Sequence, residues 1–596
     1  MVIGVNGEQT GILQQTEYSS VVYEEQDEEP LAITEDTRKK ALILYSPSDE
    51  WSVKYEKNLG IVLEHMRIVG ETLELSRTET VTYQDYDMVI LASSDWNEMQ
   101  EPMGRLFDYV EKGGSLFVGI LPKESEGQFK SIYRRLGIID YGEYMEYDNF
   151  TFEEELIPGI RNMEFSGEEF TDVGMAVTLE ESTEVYASAK MEQQTIPVIW
   201  SYPCREGQIV FFNGTAISGD FWRGIAAGCV NALSETGFYP VINALCLFID
   251  DFPSPQYEST SDVIKKDYNR SVKEFYRDIW WPDMQKVAEK YGDIYTGLFI
   301  STYNDIVDPE KFSYEESSME KYYGASLLKN GNEMGAHGYN HQSLTLKGGT
   351  PESMGYTPWR NMLDMEASIE KLQEIADSMF PGISFRTYVP PSNYLSAEGR
   401  TAVKRAIPGL KTISGIYTDE GEEGDVYVQD YVMAEDGIAE FPRVTSGMIQ
   451  TDFGRLSMVS AMGLYGVFSH FIHPDDIFDE ERGAGQSWES LYSSYCAMMG
   501  EVHSRYSFLR ALCASDAADA LKVYTELVPH LETGEDEVRG SVENFRGEAF
   551  FYLKTDKDPR AEDESCSVEK IDAENGSLYY LVTVKKANFK IKLVDV

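Results

Sequence analysis

Ala244-Leu245-Cys246-Leu247-Phe248-Ile249-Asp250-Asp251-Phe252-Pro253-Ser254-Pro255 is an unbroken apolar run, then two adjacent carboxylates, then a proline-punctuated exit. The apolar run is too short for a helix and reads as a buried strand whose last residues emerge at a rim, where barrel enzymes place their chemistry. Further along comes Glu333-Met334-Gly335-Ala336-His337-Gly338-Tyr339-Asn340-His341, with two histidines four apart that one turn or tight loop could aim at a single ion. Asp251, His337 and His341 then make a three-ligand set, leaving a coordination position open for water and substrate. An Asp-Asp pair after a strand also reads as a polar loop start, and His-x-x-x-His occurs on solvated helix faces. The conjunction decides. Only seven histidines occur, at 65, 337, 341, 470, 473, 503 and 530, and four of them form the close pairs 337/341 and 470/473.

Phe248-Ile249-Asp250-Asp251 resembles the Thr-Phe-Asp-Asp-Gly motif that opens polysaccharide deacetylases, the NodB-homology superfamily of carbohydrate esterase family four. His337 to His341 resembles that family's second motif in order and spacing. Phe385-Arg386-Thr387-Tyr388-Val389-Pro390-Pro391 looks like the third, Glu440-Phe441-Pro442-Arg443 stands where the fourth belongs, and Ser469-His470-Phe471-Ile472-His473-Pro474 looks like the fifth. The resemblance covers roughly residues 240 to 520. Phe252 replaces the first motif's glycine and the third and fourth motifs match loosely, so the chain is similar to a divergent branch, the Pel-type exopolysaccharide deacetylases.

The resemblance implies a metal-dependent de-N-acetylase of an N-acetylated aminosugar exopolysaccharide, releasing acetate and leaving free amines during biofilm matrix modification. Asp251, His337 and His341 would hold one divalent ion, zinc first, with other divalent ions open. Asp250 would act as general base, a histidine of the 470/473 pair as general acid, and Arg386 would orient Asp250; Glu440 and Arg443 are weaker candidates. Parity chooses within the pair. If a strand runs to His473, then Val467, Ser469, Phe471 and His473 share one face, and its small residues suit a crowded barrel interior better than Phe468 does. His473 is then the acid and His470 a packing residue.

Two other classes remain open. A glycoside hydrolase could use a carboxylate pair, although adjacent residues do not easily flank one glycosidic bond. A non-catalytic polysaccharide-binding or assembly protein could keep the fold, with Phe252 as its best support.

With 51 basic and 102 acidic residues the formal charge is −51, which repels phosphate backbones and anionic membrane surfaces and excludes nucleic acid as a natural partner. A neutral or cationic polymer fits, and other exopolysaccharide-synthesis proteins are further candidate partners. The six cysteines form no Cys-x-x-Cys, so neither a thiolate zinc site nor a redox motif is indicated. No basic-then-apolar leader or long apolar run occurs. The acid-rich start ending in Glu24-Glu25-Gln26-Asp27-Glu28-Glu29-Pro30 looks like a juxtamembrane linker, giving an extracellular or cell-surface expectation with any membrane contact through an anchor outside this chain.

Along the chain, 1–37 reads as an acidic linker or an arm lying on a domain. Residues 38–235 carry a doubly wound, flavodoxin-like α/β pattern with strands at 41–45, 88–92 and 115–119; Thr195–Tyr202 and Gly207–Gly214 complete it, and Phe221–Ala232 is a helix. This unit looks like a class I glutamine-amidotransferase-like domain. It has no cysteine before Cys204 for the strand-to-helix elbow, so a non-catalytic scaffold is expected. Residues 236–525 alternate strand candidates (245–250, 295–301, 333–337, 384–389, 411–417, 438–444, 464–470) with helices, the pattern of a distorted (β/α)7 barrel with every quoted motif at a strand's carboxyl end. Trp280, Trp281, Trp359, Tyr339, Tyr388 and Tyr394 fall near these ends as candidates for stacking on sugar rings, the two tryptophans also reading as core. Residues 526–596 end in period-two strands, Tyr579–Val584 and Phe589–Val594, of a small β domain.

Overall fold

The computed structural model describes residues 30–99, 103–123, 127–191, 194–255, 260–315, 318–418, 423–479, 482–572 and 576–595. Most of the expected acidic arm, 1–29, lies outside them. The remainder lies on a domain: Ala32 N donates to Asn588 Oδ1 and Leu531 N to Thr37 Oγ1, both across to the small β domain.

The fold is mixed α/β. A nine-stranded N-terminal sheet runs Val69–Glu74, Lys40–Tyr45, Met88–Leu91, Ser115–Val118, Gly207–Phe212, Thr195–Cys204, Glu184–Lys190, Asn149–Phe152, Glu164–Ser166. Its first five strands are parallel; the edge strand Val69–Glu74 is largely exposed, and the next four are largely buried, as their Val, Ile, Leu and Phe runs require. The antiparallel strands between 138 and 190 escaped sequence reading, because segments such as Ile138–Tyr147 are largely exposed and carry no continuous apolar face. Cys204 and Cys229 are both buried, and desolvation pushes both thiols upward, away from the reactive thiolate.

The central sheet holds eight parallel strands: Thr445–Ser446, Val467–Ile472, Ala244–Ile249, Tyr295–Ile300, Glu333–Gly338, Thr387–Tyr388, Thr412–Ile413 and Ala439–Glu440, with Val432–Met433 antiparallel at the edge. The sheet curls. The segment from 439 to 446 pairs with Thr412–Ile413 at its start and with His470–Phe471 at its end, and Arg443 N and Val444 N reach Gly415 O and Ser469 O between. Each long strand is buried on both faces because helices cover the outside, among them Trp281–Tyr291, Ser318–Lys329, Met362–Met379, Asp452–Tyr465, Trp488–Arg505 and Ala514–Glu526.

Two four-stranded antiparallel sheets form the C-terminal part. Gly237–Val241, which the sequence places at the start of the barrel segment, pairs instead with Ala549–Lys554 in one of them, so the chain leaves the N-terminal sheet through the β domain before entering the central sheet. One continuous apolar cluster joins Ile43 and Ile90 through Leu247 and Phe299 to Tyr552. Between the N-terminal and central sheets, helix Arg223–Asn231 crosses helix Asp452–Tyr465, with Gly224 N donating to Ser460 Oγ at 2.9 Å. Beside it lies a buried polar junction. His65 Nδ1 is 2.9 Å from Tyr524 Oη, while Asp430 accepts from Tyr465 Oη at 2.8 Å and from Arg223 Nη1 at 3.2 Å.

Candidate functional site

Ala244–Ile249 delivers Asp250 and Asp251 to the carboxyl rim of the curled sheet, where the strand stops and Asp251 turns into the left-handed region at φ 53°. Aspartate tolerates that conformation better than most residues. The turn sends the two carboxylates in different directions. Asp250 accepts from Arg443 Nη1 at 2.5 Å and lies 3.8 Å from His473 Nε2, whereas Asp251 Oδ1 faces His337 Nε2 at 3.6 Å and His341 Nε2 at 3.9 Å.

The second trio could hold a cation. Asp251 Oδ1 is buried without a hydrogen-bond partner. His337 Nδ1 is 2.9 Å from the Val389 carbonyl, and His341 Nδ1 is 2.9 Å from Tyr356 Oη, itself bonded to Ser392. With each Nδ1 engaged outward, both Nε2 atoms converge on Asp251, the outer bonding that fixes imidazole ligands around metals. Bonds of 2.0–2.2 Å at a tetrahedral angle put ligand atoms about 3.4 Å apart, close to the spacings found. Burial holds His337 below its ordinary pKa and takes His341 down to about 4, keeping both neutral as ligands must be. Burial also pushes the Asp251 carboxyl upward, a penalty that a bound cation relieves.

Around Asp250 the electrostatics run the other way. Burial raises its pKa, but Arg443, then His473 and His337, outweigh burial and hold it below the usual carboxylate range. Arg443 is itself buried, seated over the Phe471 ring at 4.0 Å, and also donates to Asn393. His473 Nδ1 lies 3.4 Å from Asp476 Oδ1, and Asp476 Oδ2 accepts from the His473 backbone N–H at 3.1 Å. Burial lowers the pKa of His473, while Asp476 and Asp250 more than compensate and hold it above its ordinary value. His470 faces away. Its Nδ1 meets Thr445 Oγ1 at 2.8 Å, its Nε2 meets Gly447 O at 2.9 Å, and burial takes its pKa to about 4.

Three expectations change. Arg386 does not orient Asp250: the strand starts only at Thr387, Thr387 Oγ1 bonds the buried Glu333, and alternation turns Arg386 to the exposed outside. Arg443 takes that place; the signal for it was an arginine at the carboxyl end of a strand candidate. Glu440 is held by Arg400, Tyr427 and Gln429, away from the carboxylate pair. The aromatic stacking candidates Trp280, Trp281, Trp359, Tyr339, Tyr388 and Tyr394 are all buried, and Phe252 packs among Trp280, Trp281 and Tyr323 with ring centroids 4.8–5.4 Å away. Phe252 therefore fills an aromatic core and does not block the site. Among the described residues, aromatics beside His341 include Tyr356 and the 36% exposed Tyr303, whose ring lies 6.5 Å from it. No helix among the described residues is long and apolar enough to cross a membrane.

A family described as "Uncharacterised protein conserved in bacteria (DUF2194)" matches residues 29–157 and 142–579. No curated protein matches the chain. Among solved structures, a ThuA-like protein from Bacteroides uniformis ATCC 8492 aligns at 14% identity and TM-score 0.26 over 35% of this chain and 96% of its own. A beta-galactosidase from Bacillus circulans sp. alkalophilus aligns at 14% identity and TM-score 0.24 over 34% of each chain. At these scores the site has to be read from its own geometry.

Proposed function

The chain belongs to the bacterial family DUF2194, and we propose that its central sheet carries a metal-dependent hydrolase that removes N-acetyl groups from an aminosugar polymer. In this reading the central unit is the distorted (β/α)7 barrel of a polysaccharide deacetylase, the N-terminal unit an amidotransferase-like scaffold, and the setting an extracellular matrix. The double pairing of the 439–446 segment supports the barrel. The observation that carries the reaction is the division of labour between two adjacent carboxylates, Asp251 with His337 and His341 on one side and Asp250 with Arg443 and His473 on the other.

A bound divalent ion, zinc first among the ions suited to one carboxylate and two imidazoles, supplies a water of lowered pKa and polarises the acyl carbonyl. The chain's own residues do the rest. Asp250, kept ionised by Arg443, accepts the proton of the attacking water. His473, whose protonated form Asp476 and Asp250 favour, donates a proton to the departing amine nitrogen. The test is acetate release from partially acetylated aminosugar oligomers, with and without chelator. Chelator-sensitive acetate supports the reading; new reducing ends without acetate, or no acetate from any oligomer, would sink it.

A further inference from the structure

A cavity of about 630 Å³ opens on the far side of Arg443 from Asp250, within the roughly 300–1,000 Å³ of small-ligand sites. Arg443, Asn393 and Phe471 line it, and Arg443 donates to both Asp250 and Asn393, so the cavity borders the catalytic side at these residues. Ile449, Phe453 and Met458 give it apolar walls, and Thr418, Ser446 and Gln450 supply hydroxyl and amide groups.

Among the described residues its two lining cations are already engaged. Arg443 is committed to Asp250, and Arg482 reaches Asp475 at 3.0 Å and Asp476 at 2.9 Å. Neither offers a free positive charge to an anionic ligand. The wall is also fixed in place. His470, buried, grips Thr445 and the Gly447 carbonyl from behind, which gives the histidine that faces away from the chemistry a positioning task.

We propose that this cavity is a recognition site for uncharged, hydroxyl-rich sugar units flanking the reacting one, so that still-acetylated neighbours are preferred to uronates or free amines. This rests on the polymer reading above and names the part of the polymer that the chain grips. Apolar ring faces would lie against Phe453 and Ile449, with Thr418 and Gln450 serving the hydroxyl and acetamido groups.

The experiment is calorimetric titration of chelator-treated full-length protein, in which turnover cannot intervene, with hexamers of N-acetylglucosamine, N-acetylgalactosamine, glucosamine and galacturonate at physiological salt. At least one N-acetylated hexamer should bind, about tenfold or more tighter than the charged ones, and Gln450→Trp and Thr418→Trp, which fill the cavity from two sides, should each weaken it about tenfold or more. Thermal melts show which variant is folded, and Thr418→Trp decides if Gln450→Trp is not. No binding of either N-acetylated hexamer, tighter galacturonate or glucosamine binding, or unchanged affinity in a folded variant overturns the proposal. The two readings fail separately. Lost binding in the tryptophan variants with no acetate release leaves the cavity standing and removes the deacetylase, while acetate release with unchanged binding does the reverse.

Discussion

Asp250 and Asp251 are chemically identical neighbours with different partners, Arg443 and His473 for one and His337 and His341 for the other, and under the proposed function substitution should separate them. Asp250→Asn should retain the ion and lose about 10²–10⁴ in kcat, since an amide accepts no proton. Asp251→Asn and His337→Ala should lose the ion, read by metal analysis after dialysis. Comparable activity and metal content in the two Asn variants would refute the division. For the histidines, His473→Asn should lose acetate release while His470→Asn keeps the acid step. As a proton donor with a raised pKa, His473 sustains activity from low pH up through its own pKa, with loss above it; Asp476→Asn, removing the partner that raises it, should move that alkaline limb to lower pH. A limb that stays put in Asp476→Asn, or in His473→Asn, excludes the assignment. Most of these residues were legible because spacing and order survive in sequence. Arg443 was legible only weakly, because a guanidinium reaching Asp250 from 193 positions away is a product of the curled sheet. Arg386 misled because a two-residue strand cannot be phased from composition.

At the scale of elements, the crossing of Arg223–Asn231 over Asp452–Tyr465 depends on a missing side chain. A Cβ at Gly224 would meet the Ser460 carbonyl oxygen at 1.9 Å, a backbone atom that cannot swing away. Gly224→Ala should therefore push the helices apart and cost about 1–3 kcal/mol, as overpacking does, seen as a lower urea midpoint. An unchanged midpoint would mean that the crossing carries little of the stability. The long buried strands were readable as apolar runs. The short ones, Thr387–Tyr388, Thr412–Ile413 and Ala439–Glu440, were placed correctly but drawn too long, since most of their flanking residues bond irregularly across the rim. Ile138–Tyr147 was invisible because exposure on both faces erases period-two patterning.

For the whole molecule, sequence order suggested successive units, whereas the structure threads Gly237–Val241 through the C-terminal sheet and buries a polar junction between the N-terminal and central sheets. That junction should make the assembly acid-sensitive. Burial takes His65 from 6.5 to about 4, against the favourable pull of Asp430 and with Arg67, Arg223, Tyr465 and Tyr524 around it. Its folded pKa lies below its unfolded one, so its contribution is full above about pH 6.5 and is lost as pH falls toward 4, amounting to about 2 kcal/mol by pH 5. His65→Gln should lose less stability than the parent chain between pH 7 and pH 5 in denaturant titrations. Equal losses would show that the imidazole is not what titrates.

The arm from residue 30 to residue 37 lies on the same small β domain that contains the last strand, with Pro30 O accepting from Asn588 Nδ2 and Glu35 O beside His530. Tension between residue 30 and Val594 would thus be borne first by this clasp, peeling the arm from the β domain before any load reached the strands that hold Asp250 and His337.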